Sequence, residues 1–300
     1  MHYDLTDLRM FLALARTLNM AAAAVESGRS TAALSQRLKK FEAEVGTPLF
    51  VREARGLALT TAGHALKPLA EEVLATSARM ESALAAFQPG SRPVVRIASN
   101  TSGIQNHLLP AVGAFLHEHA VRLVFLERQS RAAVEAVLAG EADLAFSLER
   151  AAREFEPEAH VVPFAVDRHV LVAQPDHPLA REESVRLRDI IDFPYVGLPE
   201  TAPMGRAMRE RTRALGLRYE PAVEVPSFSL MLRLVLDGAG IAVVPRSALR
   251  PFGGHEALSV VRIEEPWALR PLVFAYAAAR PPVGAACDFL EFLGRDGRIE

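Results

Sequence analysis

Apolar residues near the start of the chain recur every three or four positions, the spacing of amphipathic helices. The first such run comprises Leu8, Phe11, Leu12, Ala15 and Leu18. Asp4, Asn19 and Ser30 are suitable N-cap residues, because their side-chain oxygens can accept the free N–H groups of a first helical turn. The pattern therefore predicts three consecutive helices, of which the second is rich in alanine and ends near Ser27-Gly28.

The third predicted helix has two unlike faces. Its buried stripe is Leu34, Leu38, Phe41 and Val45. The opposite face carries short or polar side chains, which are Thr31, Ala32, Ser35, Gln36 and Lys39. Short side chains let a helix approach base edges, where hydroxyl and amide groups can hydrogen-bond. The three helices predict a helix-turn-helix whose last helix enters the DNA major groove. The alternative is an ordinary solvated face, since small polar residues are common on surfaces.

A basic segment follows the third helix. Gly46–Leu66, "GTPLFVREARGLALTTAGHAL", has a turn, an apolar pair, the bases Arg52 and Arg55, and a short strand at Leu57–Leu59. It predicts a wing beside the recognition helix. Residues 1–60 contain eight Lys/Arg and six Asp/Glu, a net charge of +2 in a chain whose net charge is −2. This basic head on an acidic body favours an anionic partner. The predicted DNA-contacting residues are Ser30, Thr31, Ala32, Ser35, Gln36, Arg37, Lys39, Lys40, Arg52 and Arg55.

A long helical pattern runs from Thr61 to Phe87. Apolar positions alternate spacings of three and four, which is the a/d rhythm of a coiled coil. Pro68 removes one backbone hydrogen bond within this helix. We expect the helix to pair two chains through Leu66, Leu69, Val73, Met80 and Phe87. The alternative is that the stripe packs on the chain's own body. Gln88–Pro93 breaks the pattern and predicts a hinge.

Beyond Pro93 short apolar runs alternate with helical periodicity. The expected strands are 94–100, 121–127, 142–148, 169–175, 241–245 and 270–278. The expected helices are 103–119, 130–141, 202–216, 227–240 and 283–293. This alternation is typical of an α/β domain with a mostly parallel sheet.

Two parts of the chain resemble the LysR-type transcriptional regulators. In the head, Phe41–Gly63, "FEAEVGTPLFVREARGLALTTAG", follows the pattern of that family's N-terminal domain almost position by position. The body resembles the family's two-lobed effector domain, chiefly in "EADLAF" (Glu141–Phe146) and "LVLDGAGIAVVP" (Leu234–Pro245). The head departs from the family at Ala21, at Thr31-Ala32 and at Gln36, so its base preference is expected to be unusual.

The resemblance implies an α/β protein of three parts. These are a winged helix-turn-helix over 1–60, a linker and dimerisation helix over 61–90, and an effector-binding domain over 93–300 akin to periplasmic binding proteins. In such a domain the chain crosses twice between lobes, here expected near 163–167 and 264–268. Lobe I then comprises 93–163 and 268–300, and lobe II comprises 167–264. The resemblance further implies dimers that pair into tetramers, and an effector that changes their geometry on DNA.

An effector is expected in the crevice between the lobes, at the carboxyl ends of strands. Hydroxyl-rich segments lie at three expected helix starts, and exposed N–H groups there bind anions. A small carboxylate is therefore the expected ligand, and it agrees with the family's usual effectors. The candidate residues are Ser99, Asn100, Thr101, Ser102, Gln129, Ser130, Thr201, Ser227 and Phe228, with Gln129 and Ser130 taken from the resemblance. Each hydroxyl could instead be only a helix cap, and Phe228 could be a core residue.

Other functions lack their sequence signals. The N-terminus shows no signal-peptide pattern and no apolar run is long enough to span a bilayer, so we expect a cytoplasmic protein with no membrane partner. The single cysteine, Cys287, fits a reducing compartment and is expected in the core. Neither a GxSxG elbow nor a Walker loop occurs, and we expect no enzyme, no cofactor and no metal. The remaining alternatives are an architectural DNA-binding protein without an effector and a two-lobed small-molecule-binding protein.

Overall fold

A computed structural model of the chain describes residues 3–53, 56–85 and 92–295. Arg55, Phe87 and most of the expected hinge lie outside these residues.

The N-terminal domain consists of three helices, a two-stranded wing and a long helix. Its elements are α1 (Leu5–Thr17), α2 (Met20–Glu26), α3 (Thr31–Val45), β1 (Phe50–Glu53), β2 (Gly56–Leu59) and α4 (Thr61–Ala85). All three expected N-caps form, at Asp4, Asn19 and Ser30. At α1 a capping box is present, because Asp7 accepts the Asp4 N–H in return. Local sequence alone thus sets where these helices begin.

One core holds the helices and the wing together. Phe11, Leu34 and Phe41 are each at most 1% exposed and pack with Leu49 at the start of the wing. The Glu42 carboxylate accepts the N–H groups of Leu49 and Phe50 at 2.7 and 3.1 Å. This contact satisfies two backbone N–H groups at the start of the wing, and it fixes the wing relative to α3.

The rest of the described chain alternates helices with strands. The strands are β3 (Val94–Ser99), β4 (Arg122–Glu127), β5 (Leu144–Leu148), β6 (Ala159–Ala173), β7 (Ser184–Val185), β8 (Val196–Gly197), β9 (Val223–Glu224), β10 (Ala242–Pro245), β11 (Ser259–Ile263) and β12 (Leu269–Ala277). The helices are α5 (Thr101–Gly103), α6 (Leu109–Glu118), α7 (Ser130–Leu138), α8 (Glu149–Arg153), α9 (Leu187–Ile190), α10 (Pro203–Ala214), α11 (Phe228–Leu236) and α12 (Ala285–Arg295). A π-helical turn, Ile104–Leu108, joins α5 to α6.

The expectation of a mostly parallel sheet was wrong, because the sheet is mixed. β3 is parallel to β4 and β5, and β7 is parallel to β11. β12 is antiparallel to β5 and β6, and β6 is antiparallel to β10 and β11. β6 and β12 therefore run antiparallel to their neighbours, whereas simple strand–helix alternation predicts parallel strands.

Strand β6 belongs to two packed regions. Its first part pairs with β12, and its end, Val170–Ala173, pairs with β10 and β11. Helices α6 and α12 cover the first region, where Phe115, Phe146 and Phe289 are buried. Helix α11 packs on the second region through Met231 and Leu232. The body is thus two lobes that share β6, with β12 beside it at the crossing.

Candidate functional site

The exposed face of α3 carries the short side chains that the sequence placed there. Thr31, Ala32 and Gln36 are exposed and Ser35 is half-buried. The Ser30 hydroxyl accepts the Ala33 N–H at 3.2 Å and caps the helix. A helix that presents little side-chain bulk along one face can lie close to the floor of a DNA groove.

Arg37 is a correction to the expected set of phosphate contacts. Its Nε donates to the Asp7 carboxylate at 2.6 Å, and its Nη2 donates to Asp4 at 2.9 Å. The hydrogen bond that Arg37 donates to Asp7 outweighs partial burial and raises the pKa of Arg37. The guanidinium thus ties α3 to the N-terminus of α1, because its Nε and Nη2 donate to two carboxylates of that segment.

The wing projects beside α3 and carries an exposed arginine. Arg52 faces Leu57 across the hairpin and is exposed to solvent. The Leu57 N–H donates to the Leu18 carbonyl at 3.0 Å, which anchors β2 to the end of α1. Gly56 has φ +130°, and a Cβ there would lie 2.8 Å from the Leu18 carbonyl oxygen. The hairpin therefore requires glycine at this position.

Lysines extend the basic surface of α3. Lys39 and Lys40 are exposed, and the Lys40 ammonium lies 3.8 Å from Glu44. Within the described residues, neither Lys39 nor Arg52 has an acidic partner. Free cations on a helix and an adjacent wing suit contacts to phosphates.

An apolar stripe on α4 is open to solvent in the single chain. Leu69, Val73, Met80 and Leu84 are 58, 46, 59 and 58% exposed. The alternative that the stripe packs on the chain's own body does not hold for these residues. Leu66 is a correction, because it packs partly buried against the core of the N-terminal domain. Exposed apolar side chains in a row are typical of a surface that another chain covers.

A buried polar network joins the two lobes at their crossing. Asp167 on β6 accepts Arg270 Nη1 at 3.0 Å and the Ser247 hydroxyl at 2.8 Å. His107 Nε2, from the π-helical turn of lobe I, lies 3.6 Å from the same carboxylate. Asn106 donates to the Ser247 hydroxyl at 3.3 Å. One carboxylate thus binds groups from both lobes and from both crossing strands.

Ionisation inside this network follows from its contacts. Burial alone would raise the pKa of Asp167, but the His107 and Ser247 hydrogen bonds and the Arg270 charge outweigh it and hold the pKa at about 2. Burial, together with the nearby Arg270 charge, lowers the pKa of His169 to about 3, so this imidazole is neutral at neutral pH. The neutral ring of His169 lies 5.7 Å from that of Trp267.

These shifts predict a loss of stability in acid. The pKa of Asp167 is lowered from 3.8 to about 2, so its stabilising contribution is complete above pH 4 and disappears as the pH falls towards 2. The contribution at neutral pH is about 2 kcal/mol. Urea unfolding of wild type and Asp167→Asn between pH 7 and 3 should show the difference between them shrinking only below about pH 4. A difference that is constant with pH would contradict the assignment.

Ser99 is a correction to the expected effector contacts. Its side chain is fully buried, and its hydroxyl donates to the Phe146 carbonyl at 2.9 Å. Val95 and Ile97 lie on the same face of β3 and are buried in lobe I. The two-residue period of the strand therefore carries Ser99 into the core rather than into a crevice.

Asn100 and Ser102, by contrast, lie at the junction between the lobes. Together with Gly103, Ser147 and the residues His107, Ser247 and Arg270 of the network, they line a small pocket of about 10 Å³, enough space for about one water. Asn100 also caps α5 by accepting the Gly103 N–H at 2.8 Å. Thr101 is turned away from this pocket and donates to Glu127.

The other expected effector residues lie at or just before the starts of separate helices. Gln129 is exposed, and the Ser130 carbonyl accepts the Ser147 hydroxyl at 3.1 Å. Thr201 is exposed, and its carbonyl accepts Arg206. Ser227 caps α11, and Phe228 packs against the core of lobe II. The structure therefore places only Asn100 and Ser102 of the expected set in the small pocket that the network also lines.

Sequence reasoning missed the network itself. Asp167 follows Phe164-Ala165-Val166, and Arg270 precedes Pro271-Leu272-Val273. A charged residue inside an apolar run was the available signal, because an isolated buried charge needs a partner. The pairing of Asp167 with Arg270 could not be predicted without the strand register.

A larger cavity, of about 710 Å³, opens beside the same network. Residues 164–168 of β6 form one wall, and Asn106 and His107 lie at its lobe I end. The segment after β10 supplies the other wall through Arg246, Ser247, Leu249 and Arg250. His255 and Val260 complete this wall. None of the nine expected effector residues lines this cavity.

A winged helix-turn-helix with a basic face, joined by a long helix to a two-lobed domain, defines a class of ligand-responsive DNA-binding regulators. Family models agree over nearly the whole chain. A bacterial regulatory helix-turn-helix domain of the lysR family matches residues 5–64, and a LysR substrate binding domain matches residues 88–298. The chain belongs to the LysR family. It is a DNA-binding transcriptional regulator with an effector-binding domain.

Relatives and solved structures are similar along most of their length. The HTH-type transcriptional regulator ShiR of Corynebacterium glutamicum is 31% identical over 242 residues, covering 79% of this chain and 80% of that protein. The HTH-type transcriptional activator IlvY of Salmonella typhimurium is 27% identical, covering 82 and 83%. A full-length OxyR variant of Pseudomonas aeruginosa has the same fold, at 21% identity, TM-score 0.61 and coverage of 99 and 98%. CbnR, a LysR family transcriptional regulator, is similar at 23% identity, TM-score 0.59 and coverage of 98 and 99%.

None of the helices in the described ranges has both the length and the apolar character required to cross a membrane.

Proposed function

We propose that the protein reads a specific double-stranded DNA sequence with α3 and its wing. The observation that carries this proposal is the combination on one surface of short side chains with exposed cations. Ser30, Thr31, Ala32, Ser35 and Gln36 would face base edges, whereas Lys39, Lys40 and Arg52 would contact phosphates. Arg55 of the wing stays a prediction, since it lies outside the described residues.

Two substitutions separate base reading from phosphate binding. Gln36→Ala should change the preferred sequence at one position, with a loss of about 1–3 kcal/mol on the preferred site and little loss elsewhere. Arg52→Ala should weaken binding to all sequences alike and reduce the salt slope by about one. Selection from a random duplex library, followed by titrations at several salt concentrations, measures both effects. Equal losses on every sequence for both variants would contradict base reading by α3.

We infer that two chains pair through α4. The exposed stripe of Leu69, Val73 and Met80 supports this, because pairing would cover it. A pair would present two recognition helices to successive half-sites of an imperfect palindrome. Two such pairs joining into a tetramer is the assembly that we propose for the protein on its promoter.

We further propose that a small carboxylate is the effector and that it binds between the lobes near Asn100 and Ser102. Arg270 supports this proposal, since it lines the same small pocket and its side chain is largely buried. A buried guanidinium beside hydroxyl and amide groups is suited to a carboxylate. The pocket would enlarge on binding, and any effect on DNA must come from a different affinity of the ligand for the two arrangements of the lobes.

A thermal-shift screen tests the effector. Small carboxylates should raise the unfolding temperature of the whole protein, because a ligand that binds only the folded state stabilises it by mass action. The same hits should lose affinity in a Ser102→Val variant. Carboxylate amides of the same shape serve as uncharged controls and should give no shift. If amides and acids stabilised the protein equally, the anionic nature of the effector would be refuted.

A further inference from the structure

We propose that the cavity of about 710 Å³ beside β6 binds an organic anion, at a site separate from the Asn100–Ser102 pocket. The ligand class is an apolar body that carries at least one carboxylate or phosphate group. This inference goes beyond the proposed effector site, because it concerns a different cavity and different residues.

Three guanidinium groups give the cavity its charge. Arg168, Arg246 and Arg250 line it, and in the part of the chain that the structure describes none of the three has an acidic partner. Asp167 is the sole carboxylate among the described lining residues, and Arg270 and Ser247 already bind it. Unneutralised like charges around a concave surface focus a positive potential that attracts anions.

Both ring nitrogens of His255 lie near other groups of its own segment. His255 Nδ1 lies 2.9 Å from the Phe252 carbonyl, and its Nε2 lies 3.7 Å from Glu256. Recognition therefore falls to the arginines. A guanidinium binds a carboxylate or a phosphate through two parallel hydrogen bonds, and it remains charged at all physiological pH values.

Apolar side chains indicate that the anion is organic. Val166 and Val260 line the cavity and are 47 and 44% exposed, although both lie on strands. Phe164 and Leu249 extend the apolar wall. A bare inorganic ion would leave this surface in water, whereas an apolar body would cover it. The volume lies within the range of about 300–1,000 Å³ that holds metabolite-sized ligands.

The cavity and the small pocket are adjacent, but most of their lining residues differ. They share His107 and Ser247 as a common wall. The arginines lie on the cavity side, whereas Asn100 and Ser102 lie on the pocket side. Substitutions can therefore address one site without removing a side chain from the other.

Calorimetric titration of the full chain with phthalate, at low ionic strength, tests the proposal. Phthalate combines a ring with two carboxylates, and inorganic phosphate serves as the comparison without an apolar body. We expect phthalate to bind more tightly than phosphate. Arg168→Gln and Arg250→Gln should each weaken phthalate binding about tenfold or more, since each removes a charged hydrogen-bond donor. Arg188→Gln removes the same charge from an exposed position on α9 and should change the affinity less than about twofold.

The outcomes separate this site from the effector site. Ser102→Val should leave phthalate binding to the cavity unchanged. If Ser102→Val weakened phthalate binding and the two arginine variants did not, the ligand would lie in the small pocket and the cavity proposal would be overturned. Equal losses in Arg188→Gln and in the cavity variants, or no phthalate binding at millimolar concentration, would also overturn it. Either result would leave the proposed carboxylate effector untouched.

Discussion

Replacing Asp167 with asparagine should cost about 3–5 kcal/mol of stability in the effector-binding domain. The carboxylate is 3% exposed and is the acidic partner of Arg270, whose side chain is 14% exposed. Removing the negative charge leaves a buried guanidinium without compensation, and this is costlier than removing both charges together. The Ser247 hydroxyl and N–H also lose a charged acceptor. Urea unfolding followed by the fluorescence of Trp267, the sole tryptophan, measures the loss.

A surface pair provides the matched control. Asp237 accepts Arg233 at 3.0 Å, and the two side chains are 49 and 65% exposed. Asp237→Asn makes the same chemical change in solvent, where an ion pair contributes at most about 1 kcal/mol. The double variant Asp167→Asn/Arg270→Met should recover part of the loss, because it removes the unpaired cation. Equal losses for Asp167→Asn and Asp237→Asn would show that the network does not stabilise the lobe junction.

Placing aspartates at Leu69 and Val73 together should convert the protein to monomers. Both side chains are largely exposed in the single chain, so the substitutions leave its own core intact. In a pair of α4 helices the new carboxylates would face each other across an apolar seam, where burying like charges is strongly unfavourable. Binding to a DNA fragment with two half-sites should then weaken about 100-fold or more, because the second recognition helix no longer binds from a tethered position.

Sedimentation measures the association state, and DNA titration measures the second effect. His64→Asp supplies the control for association, since His64 is exposed on the opposite side of the same helix. That variant should remain paired. Far-ultraviolet circular dichroism verifies that each variant keeps its helix content. A Leu69→Asp/Val73→Asp protein that sediments like wild type would refute pairing through this stripe.

The N-terminal domain could be predicted in detail because its signals are local. Asp4, Asn19 and Ser30 each cap the helix that follows them, and a cap requires only neighbouring residues. The wing is a hairpin between adjacent segments, so its pairing is short-range as well. Arg37 is the exception, because its partner Asp7 lies thirty positions earlier in the chain. Side-chain pairing between helices depends on a packing angle that periodicity does not contain.

The body was less predictable because its site depends on distant pairings. Asp167 and Arg270 are 103 positions apart, and Ser247 is 80 positions from Asp167. They meet only because β6 and β12 pair in one register, with Arg270 opposite Asp167. A shift of either strand by one residue would turn its charge to the other face of the sheet and separate the pair. Ser99 could have been placed correctly, since alternation from Val95 and Ile97 already assigns it to the buried face. Cys287 was also misplaced, because it is half-exposed on α12 rather than in the core.

The separation of exposed and buried residues on α3 affects how such a regulator can acquire new target genes. Thr31, Ala32 and Gln36 lie outside the core, whereas Leu34, Leu38 and Phe41 on the other face are buried. Exchanges at exposed positions usually alter stability by about 0.5 kcal/mol or less. Under the proposed base reading by α3, the set of target promoters can change through substitutions at a few exposed positions while the domain continues to fold as before. The same positions are the natural ones to randomise when the protein is adapted to control a chosen gene.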